Sequence, residues 1–458
     1  MKSQHSVSSV APIGGISRRK FLQTATAAAL LGGIDFRSLS AQNEPVNGLK
    51  NLIDPSKKLR IASIGAGGQA FTNLNLMASE DIVALCDVDF SRAAKSFTRW
   101  PNAARFQDFR EMFREMADKI DAVLIATPDH THFPAAMMAL EYGKHIYVEK
   151  PLTHTIGEAR LLREAARQAG VVTQMGNHGH ANETTRLVKE WIDGGVIGDV
   201  RKVHFWTNRP IWPQGLELPS SIDAVPATLN WNLWQGVAPV RPYNKSYLPF
   251  AWRSWWDYGC GALGDMGCHV MDAAFWTLDL RGKFYVSAES EGATQVNGPI
   301  WSVVRYDFPQ RGKLPPVTLS WFDGGALPPK PKELGDTPMP KQGVIYYGDK
   351  GMLMTTGDYS ESPRLLPDSA MKNFRVRPEK TIPRVPNGNA RMEWVNGCKG
   401  GPKPGSDIVD YSASLTEFVL AGNLAIRLGR RVEYDPTTGA CVGDPDADRL
   451  INKPYRNF

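Results

Sequence analysis

Two short segments carry residues whose types and spacing could bind a nucleotide and move a proton. In the first, residues 59–70, a Leu-Arg-Ile strand start runs into a glycine-rich turn that opens a helix. In such turns one glycine permits the tight bend, a second lets the backbone approach the pyrophosphate, and a small residue keeps helix and strand close. The predicted dinucleotide contacts in this turn are Gly65, Gly67, Gly68, Gln69 and Ala70.

An acidic residue follows the next apolar run at the distance expected for a ribose contact. Asp87 lies 22 residues after Gly65, close to the spacing of about 20 residues in dinucleotide sites. Its carboxylate should hydrogen-bond the adenosine ribose hydroxyls, and its charge should repel a 2′-phosphate. The pattern therefore favours NAD over NADP, while the nearby Arg92 keeps NADP as the less favoured alternative.

The polar segment Ala-Thr127-Pro128-Asp-His130-Thr-His132 follows a later apolar run. A loop at this position would lie under the nicotinamide half of the cofactor, so we predict contacts from Thr127, Pro128 and His132. Either histidine could also be a base, although a loop histidine is more often a packing or capping group.

The second of the two leading segments places a lysine at the end of another strand, within Glu149-Lys150-Pro151. A lysine beside apolar walls and a cationic nicotinamide can carry a proton or stabilise an oxyanion. We therefore predict that Lys150 is catalytic and that both Glu149 and Lys150 contact the cofactor.

Residues 255–272 combine several glycines with a histidine and two carboxylates. Asp265, His269 and Asp272 are spaced four and three residues apart, which on a helix places all three on one face. A histidine flanked by carboxylates suits a general base with an orienting group. We expect His269 to be the base and Asp265 to orient it or to hold a neighbouring hydroxyl. A metal site is not predicted, because no further ligand follows at a fixed spacing.

Candidate substrate contacts come from two other features. His178 and His180 follow the last strand of the first domain and could contact substrate hydroxyls or cap the next helix. Seven tryptophans lie between residues 206 and 256; indole faces stack on sugar rings, although such clusters more often form cores or subunit contacts. The predicted substrate contacts are His178, His180, Trp255 and Asp272.

The elements that must position these groups alternate between short apolar runs and amphipathic stretches. Predicted strands cover residues 59–65, 82–87, 122–127, 145–149 and 171–175, with helices at 133–142 and 156–169. This alternation predicts an α/β domain, residues 57–177, with a doubly wound parallel sheet. Ligands of such sheets bind at the carboxyl ends of the strands, where the glycine turn, the ribose acid and the lysine are all predicted to lie.

A different pattern begins after residue 177. Residues 178–435 should form a substrate-binding and oligomerisation domain of the α+β type, with a large, mostly antiparallel open sheet. Strands are predicted at 200–207, 303–308, 317–321, 343–347 and 352–355, and helices at 184–193 and 414–428. Residues 363–386 are proline-rich and predicted to be a surface excursion, and residues 436–458 an irregular tail.

Composition and charge exclude some classes of protein. The chain is 42% hydrophobic and 22% charged, which is ordinary for a globular protein. The first 41 residues carry five basic residues and one acidic residue, so four of the six net positive charges lie there. The remainder is close to neutral and gives no support for a nucleic-acid partner. Five scattered cysteines do not describe a disulfide framework, although one bridge stays open.

The first 41 residues resemble a twin-arginine export signal. Arg18-Arg19-Lys20 precedes the apolar run 25–31, and Leu-Ser-Ala at residue 41 offers a cleavage site. The run is too short to be a permanent membrane anchor. We therefore expect a periplasmic protein with no integral membrane segment after leader removal. Because this route carries folded proteins, a cofactor could be loaded before export and stay tightly bound.

Together the glycine turn, Asp87, Ala-Thr-Pro128, Glu-Lys150-Pro and Gly-x-x-x-Asp265-x-x-x-His269 resemble the glucose–fructose oxidoreductase / inositol dehydrogenase / MocA (Gfo/Idh/MocA) family over roughly residues 57–430. The resemblance implies a Rossmann domain, a C-terminal α/β domain whose open sheet forms a subunit interface, and a homo-oligomer, dimer or tetramer. It also implies NAD(P)-dependent redox chemistry on sugars or cyclitols, with catalytic roles for Lys150, Asp265 and His269.

Three functions follow from this comparison. The expected one is an exported NAD(H)-dependent oxidoreductase that acts on a ring hydroxyl of a sugar or glycoside, with C3 as one candidate position. A second is a redox-neutral glycosidase that uses tightly bound NAD, since the leader and the tryptophan-rich insert resemble exported members acting on glycosides. A third is a non-catalytic sugar-binding protein that has kept the fold.

Overall fold

Two β-sheets organise the computed structural model, which describes residues 48–458. The first sheet has six parallel strands in the order β3-β2-β1-β4-β5-β6. Its strands are β1 (Arg60–Ile64), β2 (Asp81–Cys86), β3 (Ala104–Phe106), β4 (Ala122–Ile125), β5 (His145–Val148) and β6 (Thr173–Met175). The predicted doubly wound parallel sheet is confirmed.

Five helices connect these strands. They are α1 (Gln69–Asn75), α2 (Phe90–Arg99), α3 (Phe109–Met116), α4 (Asp129–Glu141) and α5 (Ile156–Ala169). Strands β4 and β5 are buried at every position, as expected for parallel strands covered on both faces. Helix α5 begins with a capping box between Thr155 and Glu158 and ends at Gly170 in the left-handed conformation, which matches its predicted limits.

One predicted boundary in this domain is wrong in a way that affects the site. Helix α4 begins at Asp129, directly after Pro128, rather than at residue 133. The steric restriction that proline places on its neighbour falls on the residue before it and not on the residue after it, so the chain can enter the helix immediately after Pro128. His130 and His132 consequently lie in the first turn of α4 and not in an open loop.

The second sheet has nine strands in the order β13-β12-β11-β7-β10-β9-β8-β14-β15. Every pairing is antiparallel except that of β7 with β10. The strands are β7 (Val200–Trp206), β8 (Phe284–Glu291), β9 (Trp301–Phe308), β10 (Val317–Phe322), β11 (Gly343–Gly348), β12 (Met352–Thr356), β13 (Glu361–Leu366), β14 (Val432–Asp435) and β15 (Ala440–Cys441). The predicted mostly antiparallel sheet is confirmed.

The helices of this second part are mostly short. They are α6 (Glu183–Asp193), α7 (Trp231–Gln235), α8 (Gly261–Val270), α9 (Asp272–Thr277), α10 (Asp368–Asn373), α11 (Ala390–Cys398), α12 (Ala413–Leu428) and α13 (Pro445–Ile451). Helix α12 is buried along most of its length and contacts α5, α8 and β8. It therefore joins the Rossmann layer, the helix carrying Asp265 and His269, and the large sheet in one core.

Regular structure occurs in the predicted surface excursion, residues 363–386, and in the tail that was predicted to be irregular, residues 436–458. The proline-rich stretch contributes the end of β13 and helix α10, and the tail contains β15 and α13. Helix α13 starts where the Asp444 side chain accepts the N–H of Ala447 and Pro445 occupies the first turn, an arrangement typical of helix N-termini. These elements are short and add to the edges of existing structure, so periodicity alone did not predict them.

Two further predictions concern the membrane and the cysteines. Within residues 48–458, no helix combines the length and the apolar character that a membrane crossing requires. The export signal predicted at residues 1–41 lies outside the described residues.

All five cysteines fall in the described part of the chain, where they are buried and unpaired.

Candidate active site

The carboxyl ends of the parallel strands open into a cavity of about 480 Å³ whose opposite wall comes from the second domain. The glycine turn, Asp87, Thr127, Pro128, Glu149 and Lys150 line the Rossmann side. The second domain contributes Arg253, Asp265, His269, Asp358 and Tyr359. The structure therefore brings most of the predicted nucleotide contacts and the three predicted catalytic residues to one cleft.

The glycine turn has the close backbone contacts that a phosphate-binding turn requires. Gly65 has φ +80°, and a Cβ added there would lie 2.5 Å from the backbone oxygen of Ala126. A Cβ on Gly67 would lie 2.6 Å from the backbone oxygen of Arg92. Only glycine fits these two positions, and Ala70 is fully buried just inside α1. Gly68 and Gln69 line the cavity at the helix start, so the residues present fit a bound pyrophosphate.

Asp87 stabilises the glycine turn through hydrogen bonds and also lines the cavity. Its carboxylate accepts the N–H groups of Ala66 (2.9 Å), Gly67 (3.2 Å) and Asp89 (3.0 Å). Burial raises the pKa of Asp87, and these three hydrogen bonds oppose that effect. A carboxylate has about four acceptor positions, so one position stays available for a ribose hydroxyl.

Neither histidine of the first turn of α4 projects into the cavity. The ring nitrogens of His132 lie 2.9 Å from the oxygen of Pro151 and 2.8 Å from that of Thr127. His132 thus connects the two strand-end segments from behind, and the prediction that it contacts the cofactor directly is corrected. His130 is fully buried, and its ring faces the backbone oxygens of Tyr258 and Trp234 at 3.2 and 2.9 Å.

Lys150 and Asp265 form an ion pair across the cleft. Lys150 Nζ donates to Oδ1 and to the backbone oxygen of Asp265, each at 2.8 Å. The Nε of Arg253 donates to the same Oδ1 at 3.0 Å. Burial alone would raise the pKa of Asp265, but the charges of Lys150 and Arg253 outweigh it and hold that pKa well below its ordinary value. Asp265 therefore orients Lys150 and not His269, which corrects the predicted partner.

His269 lies one helical turn beyond Asp265 on α8 and lines the same cavity. Its ring centroid is 5.2 Å from that of His178 and 5.0 Å from that of Tyr359. Within residues 48–458, its Nδ1 has no hydrogen-bond partner. Burial, together with the charge of Lys150, holds the pKa of His269 well below its ordinary value. The imidazole is consequently neutral near pH 7, which is the protonation state that a general base requires.

The predicted alignment of Asp272 with Asp265 and His269 on one helical face is wrong. Helix α8 ends at Val270 and α9 begins at Asp272. The Asp272 carboxylate lies 3.1 Å from Nδ1 of His180 and accepts the Tyr411 hydroxyl at 2.6 Å. All three side chains are buried outside the cleft, so His180 and Asp272 form a structural pair rather than substrate contacts.

The other two predicted substrate contacts differ in their placement. Trp255 is buried in an aromatic cluster beside Tyr247 and does not line the cleft. His178 does line it, with Nε2 3.2 Å from the Tyr359 hydroxyl. Burial, reinforced by the charge of Arg391, lowers the pKa of His178 to about 4. His178 is therefore a neutral neighbour of His269.

Glu149 is held on the floor of the cleft by a buried polar network. Its Oε1 accepts the Asn73 amide at 2.8 Å, and Arg391 donates to the Asn73 oxygen at 2.9 Å. A Cβ on Gly176 would lie 2.7 Å from the Glu149 carboxylate. The position of this carboxylate is thus fixed by its neighbours, which fits its predicted place beside the cofactor.

Several cleft residues were missed by sequence analysis. Arg253 stacks over Phe250 and Trp252, with its guanidinium carbon 4.1 and 4.3 Å from their ring centroids. Arg253 lies beside tryptophans from which the sequence predicted only stacking and packing contacts, so it was not predicted as a cleft residue. Asp358 and Tyr359 lie in the turn between β12 and β13, and no spacing signal marks them.

Asp129 is a further cleft residue that was not predicted from the sequence. It opens α4, is buried and lines the cleft. Burial, assisted by the negative charge of Asp265, raises its pKa to about 7. The sequence predictions for this segment concerned Thr127, Pro128 and the two histidines and did not include Asp129.

The described residues contain no group of three or more side chains arranged to hold a metal ion.

Comparison with known proteins agrees with this architecture. The profile described as "Oxidoreductase family, NAD-binding Rossmann fold" matches residues 59–177, and "Oxidoreductase family, C-terminal alpha/beta domain" matches residues 182–312. The chain belongs to the Gfo/Idh/MocA oxidoreductase family.

Relatives within this family include sugar dehydrogenases. The chain is 28% identical to the D-glucoside 3-dehydrogenase of Escherichia coli over 51% of this chain and 58% of that protein. It is 27% identical to the glucose-6-phosphate 3-dehydrogenase of Bacillus subtilis over 52% of this chain and 61% of that protein. The matches span about half the length of the curated relatives.

Solved structures share the fold at lower identity. The WlbA dehydrogenase from Bordetella pertussis, in complex with NADH and UDP-GlcNAcA, has a TM-score of 0.59 and 18% identity, covering 82% of this chain and 98% of that one. The aldose-aldose oxidoreductase from Caulobacter crescentus, complexed with glycerol, has a TM-score of 0.56 and 17% identity, covering 82% of this chain and all of that one.

Proposed function

We propose that this chain is an NAD-dependent oxidoreductase that oxidises or reduces a ring hydroxyl of a sugar or glycoside, with C3 as the first position to test. The observation that carries the proposal is the placement of Lys150, Asp265 and His269 in one cleft with the glycine turn. The E. coli and B. subtilis relatives are both named as 3-dehydrogenases, which supports the choice of carbon.

The geometry of the side chains supports the following proton steps. A lysine ammonium has three N–H groups, and Asp265 accepts two of those on Lys150. The third is free to donate to the reacting oxygen of the substrate. The neutral His269 takes the hydroxyl proton, and Asp265 holds Lys150 in place. NAD, when bound, supplies the hydride acceptor.

The identity of the cofactor rests on the adenosine end of the cleft. The negative charge of Asp87 favours the free ribose hydroxyls of NAD over the 2′-phosphate of NADP. Arg92 is the group that could oppose this preference, because its guanidinium is 3.6 Å from the position of a Cβ on Gly68. We also propose that the protein binds NAD tightly.

Export and assembly are parts of the proposal that rest on the sequence. The paired arginines at residues 18 and 19 support twin-arginine export to the periplasm. The family relationship supports a homo-oligomer, either a dimer or a tetramer. A fusion of residues 1–41 to a reporter, with Arg18 and Arg19 both changed to Lys as the control, tests the export step.

The activity is tested by product analysis without added cofactor. The leader-processed protein is mixed with a panel of sugars and glycosides, and reduced-nicotinamide absorbance is recorded alongside product masses. The proposal predicts an absorbance signal and a product that lacks two hydrogens. Release of free sugar without a lasting signal would instead support the redox-neutral glycosidase. Absence of bound nucleotide, before and after NAD is added, would favour a sugar-binding protein.

A further inference from the structure

The tryptophan-rich part of the second domain makes backbone contact with the Rossmann domain directly beside Asp87. Phe90 donates its N–H to the oxygen of Thr228 at 3.2 Å, and Asn230 donates to the oxygen of Val88 at 2.9 Å. Asp89 and Leu229 form an antiparallel bridge between these two bonds. The segment is thereby fixed at the adenosine end of the nucleotide cleft.

The same segment is attached a second time, at the Thr127 end of the cleft. The Nε2 of His130 lies 2.9 Å from the oxygen of Trp234, and the His130 N–H donates to the oxygen of Tyr258 at 3.3 Å. Gly236 has φ +51°, and a Cβ there would lie 2.9 Å from the Thr131 methyl carbon. Residues 228–236, called the cover below, thus bridge both ends of the cleft.

Aromatic packing makes the cover rigid. Trp231 stacks on Trp234 with 4.8 Å between ring centroids and 15° between planes, and Trp234 meets Tyr258 edge-on at 4.8 Å. The Trp231 indole N–H donates to the oxygen of Arg241 at 2.8 Å. Such offset and edge-on pairs stabilise the packing beyond simple burial.

The last residues of the chain fasten the cover from outside. Arg456 donates its N–H to the oxygen of Val237 at 3.0 Å and its Nε to the oxygen of Gly236 at 3.0 Å. Its guanidinium also donates to Asn232 Oδ1 at 2.7 Å. Opening the cover would therefore require breaking bonds on both of its sides.

The inner side of the cover faces the nucleotide site. Leu229, Leu233 and Trp234 line the same cavity as Asp87 and Thr127. We propose that the cover is the second wall of the adenosine subsite, with Leu229 opposite Asp87, and that it retains NAD through many turnovers. This inference rests on the proposed NAD-dependent function and names chain residues that retain the cofactor.

The inference predicts that cofactor exchange depends on the side chain of Leu229. Truncation in Leu229→Ala removes an apolar wall without touching Lys150, Asp265 or His269. Leu229→Met keeps the volume of the side chain. The matched control is Leu216→Ala, since Leu216 packs against the same aromatic cluster but does not line the cleft.

The experiment loads each full-length, leader-processed variant with radiolabelled NAD and follows the bound label after a chase with unlabelled NAD. Tryptophan fluorescence and circular dichroism confirm that each variant is folded. The wild type, Leu229→Met and Leu216→Ala should retain the label for many turnover times. Leu229→Ala should lose it at least tenfold faster, a change that corresponds to about 1.4 kcal/mol.

Three results would overturn the inference, and they differ in whether the proposed function fails as well. If the wild type binds NAD but exchanges it within one turnover, the retaining wall and the tight binding of NAD are both wrong, while the oxidoreductase activity stands. If only Leu229→Ala fails to exchange faster than the wild type, the retaining wall alone is wrong. If the wild type binds no label at saturating NAD, the NAD-dependent function itself fails, and the wall fails with it.

Discussion

Lys150 Nζ lies 2.8 Å from both Oδ1 and the backbone oxygen of Asp265, so a lysine of the Rossmann domain is held by one residue of the second domain. Arg253 shares the same carboxylate oxygen at 3.0 Å. One carboxylate thus accepts hydrogen bonds from two cations at the point where the domains meet.

The first prediction concerns Lys150 itself. Lys150→Met keeps the length of the side chain and removes its charge and its donors. Because proton transfer or oxyanion stabilisation by one group contributes about 10²- to 10⁴-fold, kcat should fall within that range. Steady-state kinetics on the best glycoside measure this effect, with circular dichroism as the control for folding. Wild-type kcat in this variant would remove Lys150 from the mechanism.

The second prediction concerns the carboxylate between the two cations. Asp265→Asn leaves Lys150 and Arg253 facing each other with no negative charge between them. Removing one partner of a buried ion pair costs about 3–5 kcal/mol, and partial exposure of both cations places the expected loss near the lower limit. Urea unfolding measures the change. Asp307→Asn is the control, because its partner Arg305 is exposed and exposed pairs contribute at most about 1 kcal/mol.

The third prediction is a pH dependence of stability caused by Asp129. Its pKa rises from the ordinary 3.8 to about 7 in the folded protein, so the folded state holds a proton that the unfolded state loses. The stability contributed by this proton is present below pH 3.8 and is lost as pH rises towards 7. Each pKa unit corresponds to about 1.4 kcal/mol.

The variant Asp129→Asn isolates this contribution because its amide does not titrate. Urea unfolding at pH 5 and pH 8 should show that the wild type loses stability relative to the variant at the higher pH. A constant difference between the two proteins across this interval would show that Asp129 has an ordinary pKa.

The fourth prediction concerns the glycine turn. Gly67→Ala places a methyl group 2.6 Å from the backbone oxygen of Arg92, and backbone cannot move aside as a flexible side chain can. We expect NAD affinity to fall at least tenfold, or by about 1.4 kcal/mol, as measured by calorimetry on protein stripped of nucleotide. Gly282→Ala is the control, since a Cβ there meets nothing within 4 Å. Equal affinities would contradict the assignment of this turn to the pyrophosphate.

Much of the Rossmann half could be predicted from the sequence because its strands are continuous apolar runs. Each run ends at a polar or glycine residue, and parallel strands bring those ends to one edge. Gly65, Asp87, Thr127 and Lys150 therefore fall at the cleft as predicted. Local patterns are sufficient here because the neighbours along the sheet follow from the βαβ connections.

The second domain was less predictable because its site depends on where a helix breaks and on distant partners. Helical spacing placed Asp272 beside His269, yet the break at Met271 turns Asp272 towards His180 and Tyr411. Arg253 lies in a single short 3₁₀ turn, Ala251–Ser254, and meets Asp265 from there, and so short an element leaves no periodic signal in the sequence. A pairing of this kind depends on tertiary packing, which a single sequence does not display.

The most direct test of the central claim follows a hydrogen from the sugar ring. A glycoside deuterated at C3 is mixed with the NAD-loaded, leader-processed protein for a single turnover, and the mass of the nucleotide is measured after denaturation. Hydride transfer from C3 predicts a reduced nicotinamide that carries the deuterium, and a His269→Asn variant in which this label is strongly diminished. Reduced nicotinamide without deuterium would contradict oxidation at C3, and an oxidised nucleotide with every glycoside in the panel would contradict the dehydrogenase assignment itself.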